Sequence, residues 1–466
     1  MKKGFVYNYL DILNSWVYIT TIRNFSTYSK DKTMIQEFTV ENFRSIKTKQ
    51  TLSFLANNKI QTGSEEYLCT QVTDTVRLLK LCVLYGYNAS GKTNLLRALG
   101  FLRTIVLSAP DTKNEDTPFI PFALDKETRN QPGTFSLIFF IDRVRYEYTV
   151  CIDRKRIHRE SLRFTPGGRV ATLYTRTFDT DNSVSKLTIG AKCSLSAKDK
   201  TILKGNTLEN STVLYAYQKS NIHSPALDTV VEYFKETLMP MITPSVLLRD
   251  WSLERLAGDA KRKQFYVKLL EKADFQIADL EIKNNSIAVD DELLNNLTEQ
   301  GAPRGLLEQL KKDKHIVTKE LYFMHETTQG AYQILAEDES QGTLRYFGLG
   351  GVLQELLASS HVVAIDEIES SLHPDLATFF LQMFLMNSKD SQILATTHAQ
   401  YIMELDYMRN DMIWFCEKDE TGGSEYYSAQ DFKLHKNNNL ANFYRSGKLG
   451  AKPILGSPLL HRNENE

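Results

Sequence analysis

Apolar and polar positions follow two rhythms along this chain, and the switches between them mark its parts. Ile35, Phe38, Val40 and Phe43, followed by Thr51, Leu52 and Phe54, predict a hairpin over Met34 to Phe54. The unbroken run Leu81 to Tyr85 predicts a buried strand. Asn94 to Val106 predicts a helix with Leu95, Leu99, Leu102 and Val106 on one face. Phe119 to Phe122 reads as a short apolar turn around Pro121. Alternation over Phe135–Ile141 and Val144–Ile152 predicts an antiparallel pair joined at Asp142-Arg143. Leu162–Phe164 and Ala171–Phe178, split by Pro166-Gly167-Gly168, add a second pair.

From 221 to 318 the pattern reads as helical. Ser224-Pro225 is a cap followed by proline. After Asp259, the residues Phe265, Leu269 and Ala273 share a face, opposite a solvated face of Lys261, Arg262, Lys263 and Lys268. Asp290-Asp291-Glu292 reads as an acidic helix start, because no partner residues at ligand spacing accompany it. Beyond it, His361–Ile365 and Gln392–Ala395 are continuous apolar runs of the kind found in parallel strands covered on both faces. The expected class is α/β: a mixed sheet with a β lobe over 34–220 and 319–456, and an inserted helical subdomain over 221–318. A poorly patterned leader (1–33) and a flexible tail (457–466) flank it.

Composition changes this picture little. At 42% hydrophobic, 24% charged and net charge −1, the chain has no global field for nucleic acid, so any such binding needs a local patch. The five cysteines are scattered, with no pair at C-x-x-C spacing, and imply neither a disulfide framework nor zinc. Free thiols point to the cytoplasm. No run approaches the ~20 apolar residues of a membrane span. Met1-Lys2-Lys3 invites a signal-peptide reading, but Asn8, Asp11 and Asn14 interrupt the apolar stretch and no small-residue cleavage site follows. Residues 1–33 are expected to be a leader, even the product of an upstream start codon.

Chemistry enters at Gly86-Tyr87-Asn88-Ala89-Ser90-Gly91-Lys92-Thr93, which fits G-x-x-x-x-G-K-[ST] between the predicted strand and helix. Such a loop turns its N–H groups, and those of the helix start at Asn94, toward a polyphosphate. Lys92 is expected on the β- and γ-phosphates of ATP and the Thr93 hydroxyl on Mg²⁺. Asp366-Glu367 end the first late strand. A carboxylate there is costly without a cation, so Asp366 is expected to share the Mg²⁺ and Glu367 to activate water. His398, at the tip of the next strand, could meet the γ-phosphate or that water. Ser340-Gln341-Gly342 opens a helix near Leu344 as a second anion turn. Arg44, in Asn42-Phe43-Arg44-Ser45, could point at nucleotide.

In this order the motifs resemble ATP-binding-cassette ATPase heads, in particular the SMC-like branch with an N-terminal Asn-Phe-Arg-Ser strand. The resemblance implies that Ser340 and Gly342 complete the nucleotide site of a second subunit, so that two heads sandwich two ATP molecules. It gives Ser370-Ser371-Leu372-His373 to the loop after the catalytic carboxylate and His398 to the switch histidine. Gln131 lies near the place of the glutamine loop. Over Met34 to Leu455 the chain is similar, at its motifs, to AAA-type ATPases of bacterial abortive-infection and anti-phage systems, which include RloA-like proteins and the AriA subunit of PARIS. The tail Tyr444-Arg445-Ser446-Gly447-Lys448-Leu449-Gly450-Ala451 belongs to that likeness.

The implied function is an ATPase that senses or regulates a separately encoded toxic effector, often a TOPRIM-like nuclease, with a phage-encoded trigger. The implied assembly is a dimer or higher oligomer. The alternative is a RecF- or SMC-like repair or chromosome-maintenance ATPase acting on DNA. Long heptads would favour it, but the insert is short and punctuated by Pro240, Pro244 and Pro303. A third reading is a nucleotide-gated scaffold with almost no turnover.

Overall fold

The computed structural model describes residues 32–457 apart from 61, 180, 181, 183, 274, 300, 301, 303 and 433–439. Most of the expected leader, nearly all of the expected tail, and Pro303 therefore lie outside the described residues. The described chain forms two compact units: 32–244 with 359–368 and 385–457, and 245–358 with 369–384.

The larger unit is built on two main sheets. One has seven antiparallel strands in the order β10-β9-β8-β7-β6-β1-β2. These are β1 (Met34–Glu41), β2 (Gln50–Ser53), β6 (Gly133–Ile141), β7 (Val144–Ile152), β8 (Ile157–Thr165), β9 (Ala171–Asp179) and β10 (Val184–Ile189). This is the expected hairpin and β lobe. Tyr146, Tyr148 and Val150, the alternate residues of β7, are buried. A small pair, β3 (Cys69–Gln71) and β4 (Arg77–Leu79), lies between β2 and the next sheet in sequence.

The second main sheet has the order β14-β15-β5-β16-β17, from β5 (Leu81–Tyr85), β14 (Val362–Ile365), β15 (Gln392–Thr397), β16 (Ile413–Lys418) and β17 (Ser424–Ser428). β14, β15, β5 and β16 run parallel, and every residue of β14, β15 and β5 is buried, as continuous apolar runs require. The parallel order brings the C-terminal ends of β14, β15 and β5 to one edge.

Helix Lys92–Leu107 leaves β5 through the phosphate-loop motif. Its Phe101 joins Phe43 and Phe135, with centroids 5.1 and 4.8 Å away, and so fastens the helix to the seven-stranded sheet. The outer edge of β14 is extended by residues 238–242. Leu238 and Ile242 bridge Val362 and Ile365, and the Asp366 N–H donates to the Ile242 carbonyl (2.8 Å). The compact division accordingly falls at 244/245 rather than 220/221.

The smaller unit holds a three-stranded antiparallel sheet, β11 (Ile277–Ala288), β12 (His315–Thr327) and β13 (Gly330–Leu335). The span 221–318 is therefore not helical throughout. Leu280 and Ile282 alternate with charged neighbours, and β11 pairs with β12 along its whole length. Residues 319–358 also fall in this unit, because β12 needs β11. Helix Gln341–Ala358 packs on helices Leu248–Leu256 and Ala260–Lys272 through glycines. A Cβ on Gly348 would sit 2.5 Å from that of Leu248, and one on Gly351 would sit 2.6 Å from the Tyr266 hydroxyl. Arg255 and Arg262 both reach the buried Glu355 carboxylate, at 2.8 and 2.7 Å. Asp290 caps the helix Asp291–Glu299, accepting from the Leu293 N–H (2.8 Å).

Candidate phosphate-binding site

The loop after β5 is shaped by residues that tolerate no side chain. A Cβ on Gly86 would lie 2.5 Å from the Cys416 carbonyl oxygen and 2.6 Å from Ser90 Oγ. Gly91 has φ +119°, and a side chain there would fall on Ser424. Ala89 also adopts a left-handed conformation (φ +65°), while Asn88 is exposed at the loop tip.

Lys92 is buried. Its Nζ donates to the Gly86 (2.8 Å) and Tyr87 (3.2 Å) carbonyls and lies 3.1 Å from His398 Nε2. An ammonium only donates, so Nε2 of His398 is the acceptor. Thr93 Oγ1 donates to Asp366, at 2.9 and 3.1 Å from its two oxygens. The structure thus brings Lys92, Thr93, Asp366 and His398 together from three parallel strand ends. Glu367 follows Asp366 in a left-handed conformation (φ +47°), a strained backbone of the kind that gathers at functional sites.

Four more residues hold this cluster together. Thr396 Oγ1 donates to Asp366 Oδ1 (2.6 Å) and accepts from the Glu367 N–H (2.8 Å), so it orients the Asp366 carboxylate and pins the Glu367 backbone. Ser45, Ser424 and Tyr426 hold the loop from beneath. Ser424 Oγ lies 2.6 Å from the Ser90 carbonyl and 2.8 Å from Ser45 Oγ, and Asn94 Nδ2 donates to Ser45 Oγ (2.7 Å). The Ser424 hydroxyl thus has two acceptors within reach, the Ser90 carbonyl and Ser45 Oγ, and Ser45 Oγ accepts from Asn94 as well. The Tyr426 hydroxyl donates to the Gly91 carbonyl (2.8 Å). Of these, only the Ser45 and Thr396 positions fall inside stretches that sequence reading picks out. Burial pushes the neighbouring Cys416 thiol up to about 11, so no thiolate lies behind the loop at neutral pH.

Arg44 has φ +54°, lies over the Phe43 ring at 5.6 Å, and leaves its Nε without a hydrogen bond. Burial, then Arg97, lowers its pKa. Gln131 offers its carbonyl to Asn42 Nδ2 (2.7 Å) and is otherwise exposed. The tail Tyr444–Ala451 closes on the same sheet. The Tyr444 ring stacks on Phe415 (5.5 Å), and the Ala451 N–H donates to Glu417 (2.9 Å).

Ser340 and Gly342 lie in the smaller unit. Ser340 Oγ accepts from the Thr343 N–H (3.0 Å), capping helix Gln341–Ala358. A Cβ on Gly342 would meet the Ser371 carbonyl at 3.0 Å, which accounts for glycine there.

A family description, "AAA domain, putative AbiEii toxin, Type IV TA system", matches residues 81–404. The chain belongs to this AAA family. The match spans the loop, Asp366-Glu367 and His398. Among solved structures, this AAA protein is similar to the SMC head domain from Thermotoga maritima (12% identity, TM-score 0.39, 84% of this chain and 98% of that one). It is also similar to the SmcHead bound to the C-winged helix domain of ScpA (12%, 0.40, 84% and 97%). A third is the Smc head domain with an extended coiled coil bound to the C-terminal domain of ScpA derived from Pyrococcus furiosus (12%, 0.36, 90% and 100%). Scores this low add nothing to the family assignment. No curated protein matches the sequence.

The donor set fits Mg²⁺ and a nucleotide. Thr93 and Asp366 offer hard oxygens side by side, and the tight curl of the loop depends on glycines whose Cβ would strike the Cys416 carbonyl or Ser424. Among the described residues no three His, Cys, Asp or Glu side chains form a metal cluster, so such an ion would also rest on phosphate oxygens and water. Among the described residues no helix is long and apolar enough to cross a membrane.

Proposed function

We propose that this AAA protein is a Mg²⁺-dependent ATPase in which Lys92 engages the β- and γ-phosphates and the loop N–H groups, with that of Asn94, hold the remainder. The observation that carries this reading is the convergence of Lys92 and His398 (3.1 Å) and of Thr93 and Asp366 (2.9 Å) at one sheet edge. Thr93 and Asp366 would hold Mg²⁺, which supplies charge neutralisation when bound. Glu367, its backbone held by Thr396, takes a proton from water as the water oxygen attacks the γ-phosphorus. The bond to the β–γ bridging oxygen breaks, giving ADP and phosphate. His398 Nε2 accepts a hydrogen bond from Lys92 before nucleotide enters, and from the attacking water afterwards. Arg44, with an unsatisfied nitrogen, reaches toward nucleotide.

Ser340 and Gly342 serve the nucleotide of a second copy, so the working form is an ATP-sandwiched dimer or a higher oligomer of such dimers. The abortive-infection motifs and the toxin–antitoxin wording of the family description support a role in the cytoplasm as sensor or regulator of a separately encoded toxic effector. That effector is of the nuclease, TOPRIM-like kind, answering a phage-encoded trigger. Hydrolysis by Lys92→Ala and Glu367→Gln proteins tests the chemistry. The first should lose nucleotide affinity, while the second should bind ATP and stall. Native rates in both would refute the assignment.

A further inference from the structure

The turn at Ser340 carries an acid where an anion-accepting turn can least afford one. Glu339 stands one residue ahead of the cap Ser340, at the start of an 18-residue helix whose first N–H groups attract negative charge. A loose carboxylate there would compete with an incoming phosphate for those N–H groups and repel it.

Its Oε1 is instead bound 2.6 Å from Nε2 of His325. The two side chains are only 10% and 20% exposed, so the contact is shielded. His325 lies on β12, the middle strand, paired with Ile277 of β11 on one side and Tyr332 of β13 on the other. Its backbone is therefore fixed from both edges. Of the other acids on this approach, Glu337 is taken by Arg249 (3.1 Å), and Asp338, exposed to solvent, stands one residue farther from the cap.

We propose that His325 is a positioning residue that binds the Glu339 carboxylate into the three-stranded sheet and keeps the Ser340 turn receptive to the partner's ATP. The inference rests on the shared-site reading above. It gives the inserted sheet a function: a hydrogen bond from β12 controls the charge presented to a second head.

The test uses the full chain, with nucleotide binding followed by a fluorescent ATP analogue and turnover measured at saturating ATP. His325→Ala should leave binding to the isolated chain within about twofold, because the Lys92 loop is untouched, and lower turnover about tenfold, equivalent to ~1.4 kcal/mol on the barrier. Adding Glu339→Gln to His325→Ala removes the freed charge and should restore most of the lost turnover. A merely structural histidine would not be rescued by a second substitution. His325→Phe keeps a ring in the sheet and gives the same reading if the alanine variant fails to fold. Native turnover in the His325 variants, or no recovery with Glu339→Gln, would overturn the proposal. Ser340→Arg, assayed in parallel, separates the two levels. If it retains turnover, the shared site falls and this inference with it. If it abolishes turnover while the His325 variants run at the native rate, only the role of His325 is lost.

Discussion

Ser424→Ala removes one buried hydroxyl that braces the loop Gly86–Thr93. Ser424 is 1% exposed, and its Oγ joins the Ser90 carbonyl (2.6 Å) to Ser45 (2.8 Å). Without it the Ser90 carbonyl loses its side-chain donor, while Ser45 Oγ keeps the bond from Asn94 (2.7 Å). An unsatisfied buried polar group costs about 1–3 kcal/mol. Water entering the vacated space would offset part of this, so the lower end applies. The loss falls on a loop preorganised for phosphate, and about 1.4 kcal/mol is tenfold in affinity. Titration with a fluorescent ATP analogue should therefore show about tenfold weaker binding, with little change in melting temperature. An unchanged dissociation constant would mean that this hydroxyl does not preorganise the loop.

Two further outcomes follow from packing and charge. Burial holds the Glu160 carboxyl above its ordinary 4.5, against the pull of Arg176. A raised carboxyl favours the protonated folded state, so its contribution is present at low pH and lost as pH rises through the raised value. Urea midpoints of the native protein should fall relative to those of Glu160→Gln from pH 4.5 upward; a rise would contradict the sign. Gly351→Ala places a Cβ 2.6 Å from the Tyr266 hydroxyl and 2.9 Å from the Trp251 ring. It should cost about 1–3 kcal/mol, read by Trp251 fluorescence on unfolding. ATP affinity should not change, and unaltered unfolding would refute the close packing.

What could be read from sequence was what lies contiguous in it. The loop Gly86–Thr93 needs glycines, lysine and threonine in fixed succession, and Asp366 needs only an apolar run before it. The parallel sheet and β lobe followed from continuous and alternating apolar positions. Ser424 was invisible because its work is tertiary: it reaches the Ser90 carbonyl across 334 residues, from a hairpin whose local pattern says nothing of phosphate. Thr396 sat in view between apolar run and histidine, but only the neighbouring strand end at Asp366 gives its hydroxyl a task. β11 was missed because its short alternation stands between helices, and its stability comes from pairing with β12. The boundary near 244 was equally hidden, since it depends on residues 238–242 bridging a strand more than a hundred positions away.

The central claim is that one chain's Lys92 loop and another chain's Ser340 turn make a working ATP site. Mixing Ser340→Arg protein with Lys92→Ala protein tests it most directly. Each alone should be inactive, the first through bulk at the turn and the second through lost phosphate engagement. A mixed dimer contains one composite site with neither lesion. Steady-state hydrolysis after subunit exchange should rise above the sum of the two separate proteins, toward about a quarter of the native rate if half the molecules pair and one site in each can fire. Full activity of Ser340→Arg alone, or no recovery in a mixture shown by mass to contain the mixed dimer, would contradict the account.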